Sequence, residues 1–489
     1  MGETLSQYKL VFNKSVSVEI RGERITTEAG TLLTREVLEQ SGVLRKLKGQ
    51  LQDSRDPTRT THPVSELLAT ALLLFCQGWR DQDDADALRN DSAFQLAVST
   101  RTGAAALNSK QEQRAKRKNA KVPCGLASQP TLSRLVRMLS TDSNQNALRN
   151  AVIEMGCKRI SRESHSSPTQ RITIDVDSLP ISVEGHQLGS EYNGHYHERI
   201  FHPLIASVAE TGDILAGDLR PGNVPSAFGA KDFILNLVDK VKERLGYVPS
   251  IRMDAGFPEQ GLLSSLEDRG VQYVARIKNN SQLDAMAEKH YQTAANAMSG
   301  VTSGTCMVEC EYKAAKWSRA RRVVVVFQKR EGELLLHHFC LVTSWCEDEY
   351  RAEDLLEHYR TRGIAEGIMG ELMDVLKPAL SSTNRPKSRY RNRVPKKRYA
   401  SGNSFAQNEV LMLLNLLAYE TIHTIRKTLQ KATKTGWSIK RTQERVLRVG
   451  ARILLHARQV TIVIEKRAGN CWEILLEQLR MLAGPAPAS

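Results

Sequence analysis

The chain has no C-x2-C pair among its eight cysteines, which stand at positions 76, 124, 157, 306, 310, 340, 346 and 471. That spacing excludes a zinc ribbon and offers no secreted disulfide framework, so reduced intracellular thiols are expected. Long apolar runs are missing too. The longest, "LLATALLLFC" and "VLMLLNLLAY", reach about ten residues against the roughly 20 that a bilayer span needs. No charged-then-apolar leader opens the chain, and a cytoplasmic protein without membrane association is expected. There is no internal repeat, no G-x-G-x-x-G and no P-loop pattern, which counts against nucleotide-binding folds. Acidic residues are in deficit: 54 Asp and Glu face 69 Lys and Arg, a net charge of +15. A basic excess of that size points to a polyanionic partner, nucleic acid first.

What is there is a chain of 489 residues with an ordinary 41% hydrophobic content, enough for several domains with a sizeable core. From about 35 to 100 the apolar spacing of "TREVLEQSGVLRKLKGQL" and "PVSELLATALLLFCQGW" is near 3.6 and predicts helices. "NSKQEQRAKRKNAKV" follows, polar and basic without an apolar period, as an exposed arm. In "GLASQPTLSRLVRML", Ser128 or Gln129 caps a helix begun by Pro130, a candidate recognition helix.

The texture changes from 171 to 280. "RITIDVD" predicts a strand, "RIFHPLIASVAETGDILAGDLR" two strands joined by "ETGD", and "AKDFILNLVDKVKERLG" an amphipathic helix ended by Gly246. "SIRMDAG" and "VQYVARI" are further strands with the helix "EQGLLSSLEDRG" between them. The order β-β-β-α-β-α-β is that of a mixed sheet with crossover helices. Between 281 and 345 helix signals fade and β-rich runs such as "RRVVVVFQKR" take over. From 350 the chain reads as helical, interrupted by "KPALSSTNRPKSRYRNRVPKKR", which carries nine basic residues and no acidic one.

The informative residues are carboxylates at the ends of apolar strands. Asp175 and Asp177 alternate along "RITIDVDSLP" and so face the same way, and Asp254 closes "SIRMD" as Asp177 closes "ITIDVD". Like charges gathered at one sheet end repel unless cations neutralise them, and hard oxygen ligands favour Mg2+ or Mn2+. The plain alternative is that such aspartates cap turns. In "YRTRGIAEGIMGELM", Tyr359, Arg362 and Glu366 lie three and four residues apart, which on one helix makes a single stripe, either a metal-binding glutamate with supporting groups or a surface ion-pair row. Gly363, Gly367 and Gly370 weaken that helix unless it packs closely against a sheet or DNA. "HERIFH" misses the H-E-x-x-H zinc pattern because His197 and His202 are one residue too far apart.

The order D, D, Y-x2-R-x3-E resembles the insertion-sequence DDE transposases, whose signature runs Y-x2-R-x3-E-x6-K on a ribonuclease H-like catalytic fold. "DVDSLPISVEGHQ", "YNGHYHERIFHPL", "LRPGN", "RMDAGF" and "SFAQNEVLMLLNLLAYE" are similar to the same group, so the resemblance covers roughly 126 to 425. It implies Asp177, Asp254 and Glu366 as a catalytic, metal-binding triad holding two Mg2+, with Mn2+ able to substitute. Asp175 would support Asp177, and Tyr359 and Arg362 would organise the glutamate and nearby phosphates. The signature lysine falls on Met373, leaving Lys377 or the basic run at 385–398 to take its phosphate contact. By the same resemblance Trp317, set among Lys316, Arg319, Arg321 and Arg322, would stack on a flipped base, the alternative being a core tryptophan.

The fold class implied is α/β: a ribonuclease H-like mixed sheet flanked by helices, with a β-rich insertion and a helical N-terminal DNA-binding region. The regions expected are 1–165 helical and DNA-binding, 166–280 catalytic, 281–345 inserted, 346–430 catalytic with the basic loop, and 431–489 helical. The activity implied is cut-and-paste transposition by a homodimer on double-stranded DNA, namely terminal inverted repeats and target. A nuclease of the same fold without strand transfer and a non-catalytic DNA-binding descendant are the rivals.

Overall fold

The computed structural model describes residues 7–483 except 14, 21, 81, 83, 108–124, 165–170, 184–186, 334, 377–379 and 382–403. The chain divides into two compact units, one made of Met1–Gln40, Arg55–Ser133 and Ile425–Ser489, the other of Ser41–Ser54 and Arg134–Thr424. In the first unit, strands β1 (Gln7–Lys9) and β2 (Ser17–Glu19) form a hairpin, and β3 (Ile25–Thr26) precedes the helices. The apolar run "LLATALLLFC" lies in the helix Val64–Cys76, where Leu67, Leu68, Leu72 and Leu73 are all but inaccessible. A helix apolar all round is a core helix, which accounts for a run too short for a membrane. None of the described helices is long and apolar enough to cross one. The helix expected after Ser128 spans Gln129–Leu139, with Pro130 in its first turn and the Thr131 amide donating to the Ser128 carbonyl at 2.8 Å.

The second unit is built on a sheet whose first strand in the chain is β4 (Thr173–Ser178), an interior strand. After it come three short strands, β5 (Ile181–Ser182), β6 (Glu191–Asn193) and β7 (Glu198–Phe201), which make a small sheet of their own in the order β5-β7-β6. The "ETGD" turn joins β8 (Leu204–Val208) to β9 (Ile214–Asp218), as expected, while β7 is an additional strand that the alternation merged with β8. Then follow β10 (Ser250–Met253), β11 (Tyr273–Ile277), β12 (Gly304–Tyr312), β13 (Arg321–Lys329) and β14 (His337–Thr343). The eight-stranded order is β12-β13-β14-β11-β10-β4-β8-β9; β10 runs parallel to both β4 and β11, and the other pairings are antiparallel.

Parallel neighbours need crossovers, and the helices Ala230–Leu245 and Gln260–Asp268 supply them. Their apolar faces, with Ile234, Val238, Leu263 and Leu266, share one core with Ile174, Val176, Ile251 and Met253. The alternate residues face the other side, where Val274, Val324 and Leu341 pack against Leu355 and Leu356 of the helix Ala352–Arg360. Gly246 ends its helix at φ 79°, the left-handed geometry that a glycine C-cap adopts.

Two expectations are corrected. The stretch after 281 opens with a 17-residue helix, Ser281–Ala297, whose first turn is capped by the Asn280 side chain accepting from the Gln282 and Leu283 amides. The strands that follow extend the main sheet through β14 on β11. The C-terminal stretch is not wholly helical either: β15 (Ala451–His456) and β16 (Gln459–Ile464) form a hairpin, and β15 pairs with β3 from the other end of the chain. Ile453 of β15 packs on Ala93 and Leu107, so residues expected in separate terminal regions share one unit.

Candidate active site

The parallel register of β4 and β10 sets Arg252 opposite Asp175 and Met253 opposite Val176. One residue further, Asp177 lies near the end of β4 and Asp254 directly follows the last residue of β10, on neighbouring strands about 4.8 Å apart. Residues two apart share a face, so the two aspartates lie one rung beyond the Asp175–Arg252 pair on the same side of the sheet.

The two rungs differ in kind. Asp175 and Arg252 are buried, at 1% and 0% exposure, and the guanidinium is bidentate, with Nε to Oδ1 at 2.6 Å and Nη2 to Oδ2 at 2.7 Å. Asp177 is more open. Its Oδ1 accepts from the Ser178 amide at 2.9 Å and its Oδ2 from Nη2 of Arg362. Nη1 of the same guanidinium donates to Oε1 of Glu366 at 3.2 Å, so Arg362 bridges two of the three predicted triad residues. Burial pushes the Asp177 carboxyl above its ordinary range; Arg362 opposes that, and the charges of Asp254 and Glu366 push it further up. Asp177 thus feels both of the other predicted carboxylates.

Tyr359, Arg362 and Glu366 were expected on one helix, and that expectation is corrected. The helix Ala352–Arg360 ends, Thr361 and Arg362 form a turn, and a second helix runs Gly363–Glu371. In an unbroken helix the Arg362 amide would donate to the His358 carbonyl; here it donates to Tyr359 at 3.0 Å. The His358 carbonyl instead accepts from Nη1 of Arg252 and from the Thr361 hydroxyl at 2.7 Å. Tyr359 packs against the sheet core, and burial raises its phenol to about 12. The glycines expected to permit close packing against the sheet do not serve that purpose, since a Cβ on Gly363, Gly367 or Gly370 would meet nothing within 4 Å.

Of the two readings of Trp317, a stacking surface or a core tryptophan, its surroundings favour the second. Only 8% exposed, it lies edge-on to Tyr312 and under the Arg321 guanidinium, 4.7 Å from its ring, so its faces are already covered. Arg321 is clamped on Glu267 at 2.7 and 3.0 Å, Arg322 on Glu309 at 2.7 and 2.8 Å, and Arg319 also pairs with Glu267. These are structural ion pairs. Trp317→Ala should destabilise the protein by about 3–5 kcal/mol, read by chemical denaturation, with end binding of the folded fraction unchanged. Met373 is half-buried in the wider turn after Glu371, while Lys377 and the segment 385–398 lie outside the described residues.

Sequence reasoning missed two neighbours. Arg252 sits inside the quoted "RMDAGF", and a charged residue within an apolar strand was a signal equal to Asp175. Tyr196 lies in the turn before β7; burial raises its phenol, and Asp177 and Asp254 add to the shift. That turn is held by Asn193 Nδ2 donating to the Gly222 carbonyl at 2.7 Å. Gly222, of "LRPGN", approaches β7 so closely that a Cβ would lie 2.0 Å from the Ile200 carbonyl oxygen.

Among the described residues, no three carboxylate, histidine or cysteine side chains meet closely enough to hold one ion. The donor types nevertheless suit a hard divalent cation: the carboxylates of Asp177 and Glu366 share positive charge that Arg362 now provides, and the Asp254 charge acts on Asp177 from just past the neighbouring strand.

A large mixed sheet with crossover helices and carboxylates at its parallel strand ends is consistent with the ribonuclease H-like class of phosphoryl-transfer enzymes. The profile of the family described as transposase DDE domain, group 1, matches residues 8–473, and the chain belongs to that family. It is a DNA transposase, an enzyme that cleaves and transfers DNA strands, with DNA as its partner and a divalent metal as its requirement. Among solved structures, it is similar to a piggyBac transposase synaptic complex with hairpin DNA, at 13% identity and a TM-score of 0.39, covering 94% of this chain and 82% of that one. No curated protein matches the chain.

Proposed function

We propose that the transposase works by cut and paste from a ribonuclease H-like catalytic unit, with Asp177, Asp254 and Glu366 holding two Mg2+ ions that Mn2+ can replace. The observation that carries this is the Arg362 bridge between Asp177 near the end of β4 and Glu366, with Asp254 just past the neighbouring parallel β10 and its charge acting on Asp177. Bound there, the ions supply activation of the attacking oxygen and stabilisation of the leaving oxygen in an in-line displacement. The protein's own contribution is placement. Arg362 is charged and bidentate, suited to moving from the carboxylates onto a phosphate once the metal takes their charge. Tyr359, neutral and packed on the sheet, fixes the helix end from which Arg362 projects. The glycine face beside Glu366, which no described residue approaches within 4 Å of an added Cβ, leaves room for a DNA backbone to come close. The helices before residue 165 bind the terminal inverted repeats, and two copies of the chain pair the two ends.

The test is a linear mini-transposon with both ends, incubated with a circular target. Wild-type protein should release 3′-hydroxyl ends and join them covalently to the target in Mg2+ or Mn2+; EDTA should stop both steps and added Mg2+ restore them. Cleavage with no joining would identify a nuclease instead.

A further inference from the structure

We infer that Arg252 is a positioning residue: it sets the break between the helices Ala352–Arg360 and Gly363–Glu371 and so determines how Arg362 and Glu366 meet Asp177. The inference rests on the reading of Asp177, Asp254 and Glu366 as the catalytic site.

Arg252 is among the largest fully buried side chains of the protein, and its guanidinium is divided between two jobs. Nε and Nη2 hold Asp175 on β4. Nη1 reaches across to the His358 carbonyl and the Thr361 hydroxyl. The second job explains the local backbone. The His358 carbonyl is the acceptor that the Arg362 amide would use in a continuous helix, and Arg252 and Thr361 occupy it instead. The Arg362 amide turns to Tyr359, the first helix ends, and a new one starts at Gly363. Had the helix continued, Arg362 and Glu366 would project from the same axis as Tyr359. With the break, the Thr361–Arg362 turn stands between the two helices, and from it Arg362 joins Asp177 to Glu366.

The rest of the sheet face supports the assignment. Asp175 and Arg252 lie one rung below Asp177 and Asp254, so one side chain ties both catalytic strands to the connection that delivers the third carboxylate. A buried ion pair needed only for stability could be replaced by apolar residues of similar volume. A lysine could neutralise Asp175, but its single ammonium lacks the planar fork that serves two directions at once.

The experiment follows from that difference. The double variant Asp175→Leu with Arg252→Met removes the pair without leaving a buried unpaired charge; Arg252→Lys keeps the charge and loses the fork. Thr361→Val removes one acceptor on an exposed residue and serves if the double variant does not fold. Three quantities are measured: hydrogen exchange of the 358–366 amides in metal-free protein, affinity for labelled end DNA, and single-turnover cleavage at saturating DNA across a Mg2+ titration. Expected are faster exchange confined to 358–366, end affinity within about twofold of wild type, and cleavage down roughly tenfold or more with half-saturation moved to higher Mg2+. For Thr361→Val the loss is about threefold to tenfold. Folded variants whose exchange and cleavage match wild type overturn the inference. Asp254→Asn, run alongside, separates the two levels: if it cleaves normally the site reading fails, whereas if it is inactive while the Arg252 and Thr361 variants are normal, only the positioning role fails.

Discussion

Asp254→Asn should bind transposon-end DNA as wild type does and cleave it about a thousandfold more slowly, a loss of about 4 kcal/mol in transition-state stabilisation. The substitution keeps the shape of the side chain and removes one charge from a crowded strand end, where Asp254 already raises the Asp177 carboxyl. Relief of that repulsion leaves the fold at least as stable as before. The proposed metal site, however, loses one of its hard anionic ligands, and an amide oxygen replaces it poorly. Glu366→Gln should behave alike, since its carboxylate is 67% exposed and contributes little to the fold. End-labelled DNA, a denaturing gel and a thermal melt check both variants. Normal cleavage by either would remove that residue from the triad.

The second large effect separates two aspartates that stand two residues apart. Asp175→Ala should destabilise the protein by about 3–5 kcal/mol, because it leaves the Arg252 guanidinium buried at 0% exposure without its anion. Asp177→Ala should fold with nearly wild-type stability and yet fail to cleave. Its carboxylate is 24% exposed, and its partner Arg362 also has Glu366 as a second anion. Urea denaturation gives the first difference and end cleavage by the folded fraction the second. An active, stable Asp177→Ala would move the catalytic assignment to Asp175.

Much of the catalytic unit was legible because its signals are local. The alternation in "RITIDVD" and "SIRMD", the 3.6 period of "AKDFILNLVDKVKERLG" and the glycine that ends it read directly as β4, β10 and a capped crossover helix. The helix Ser281–Ala297 was overlooked although its start, with Asn280 as cap, follows ordinary rules; the strand-rich residues downstream dominated the reading of that region. The C-terminal hairpin was hidden for a different reason. Its two strands pair with each other across a short local turn and were read as helical, while the pairing of β15 with β3, hundreds of residues earlier, lies in no local window. Trp317 stayed open between stacking and core because its basic neighbours look like a phosphate-binding cluster in sequence, whereas in the fold Arg319, Arg321 and Arg322 pair with Glu267 and Glu309 from other elements.

The sequence by itself determined the family, the main-sheet strands and crossover helices between 171 and 280, and the acidic positions worth testing, since all three are written in motifs and short-range periodicity. It placed Asp177 in the triad and Asp175 behind it, from the resemblance and from the position of Asp177 at the strand end. What it could not supply is the partner of Asp175, since only the parallel register of β4 and β10 sets Arg252 opposite it. Nor could it foresee the break at Thr361, because the residue that takes the helix's hydrogen-bond acceptor comes from a strand distant in sequence.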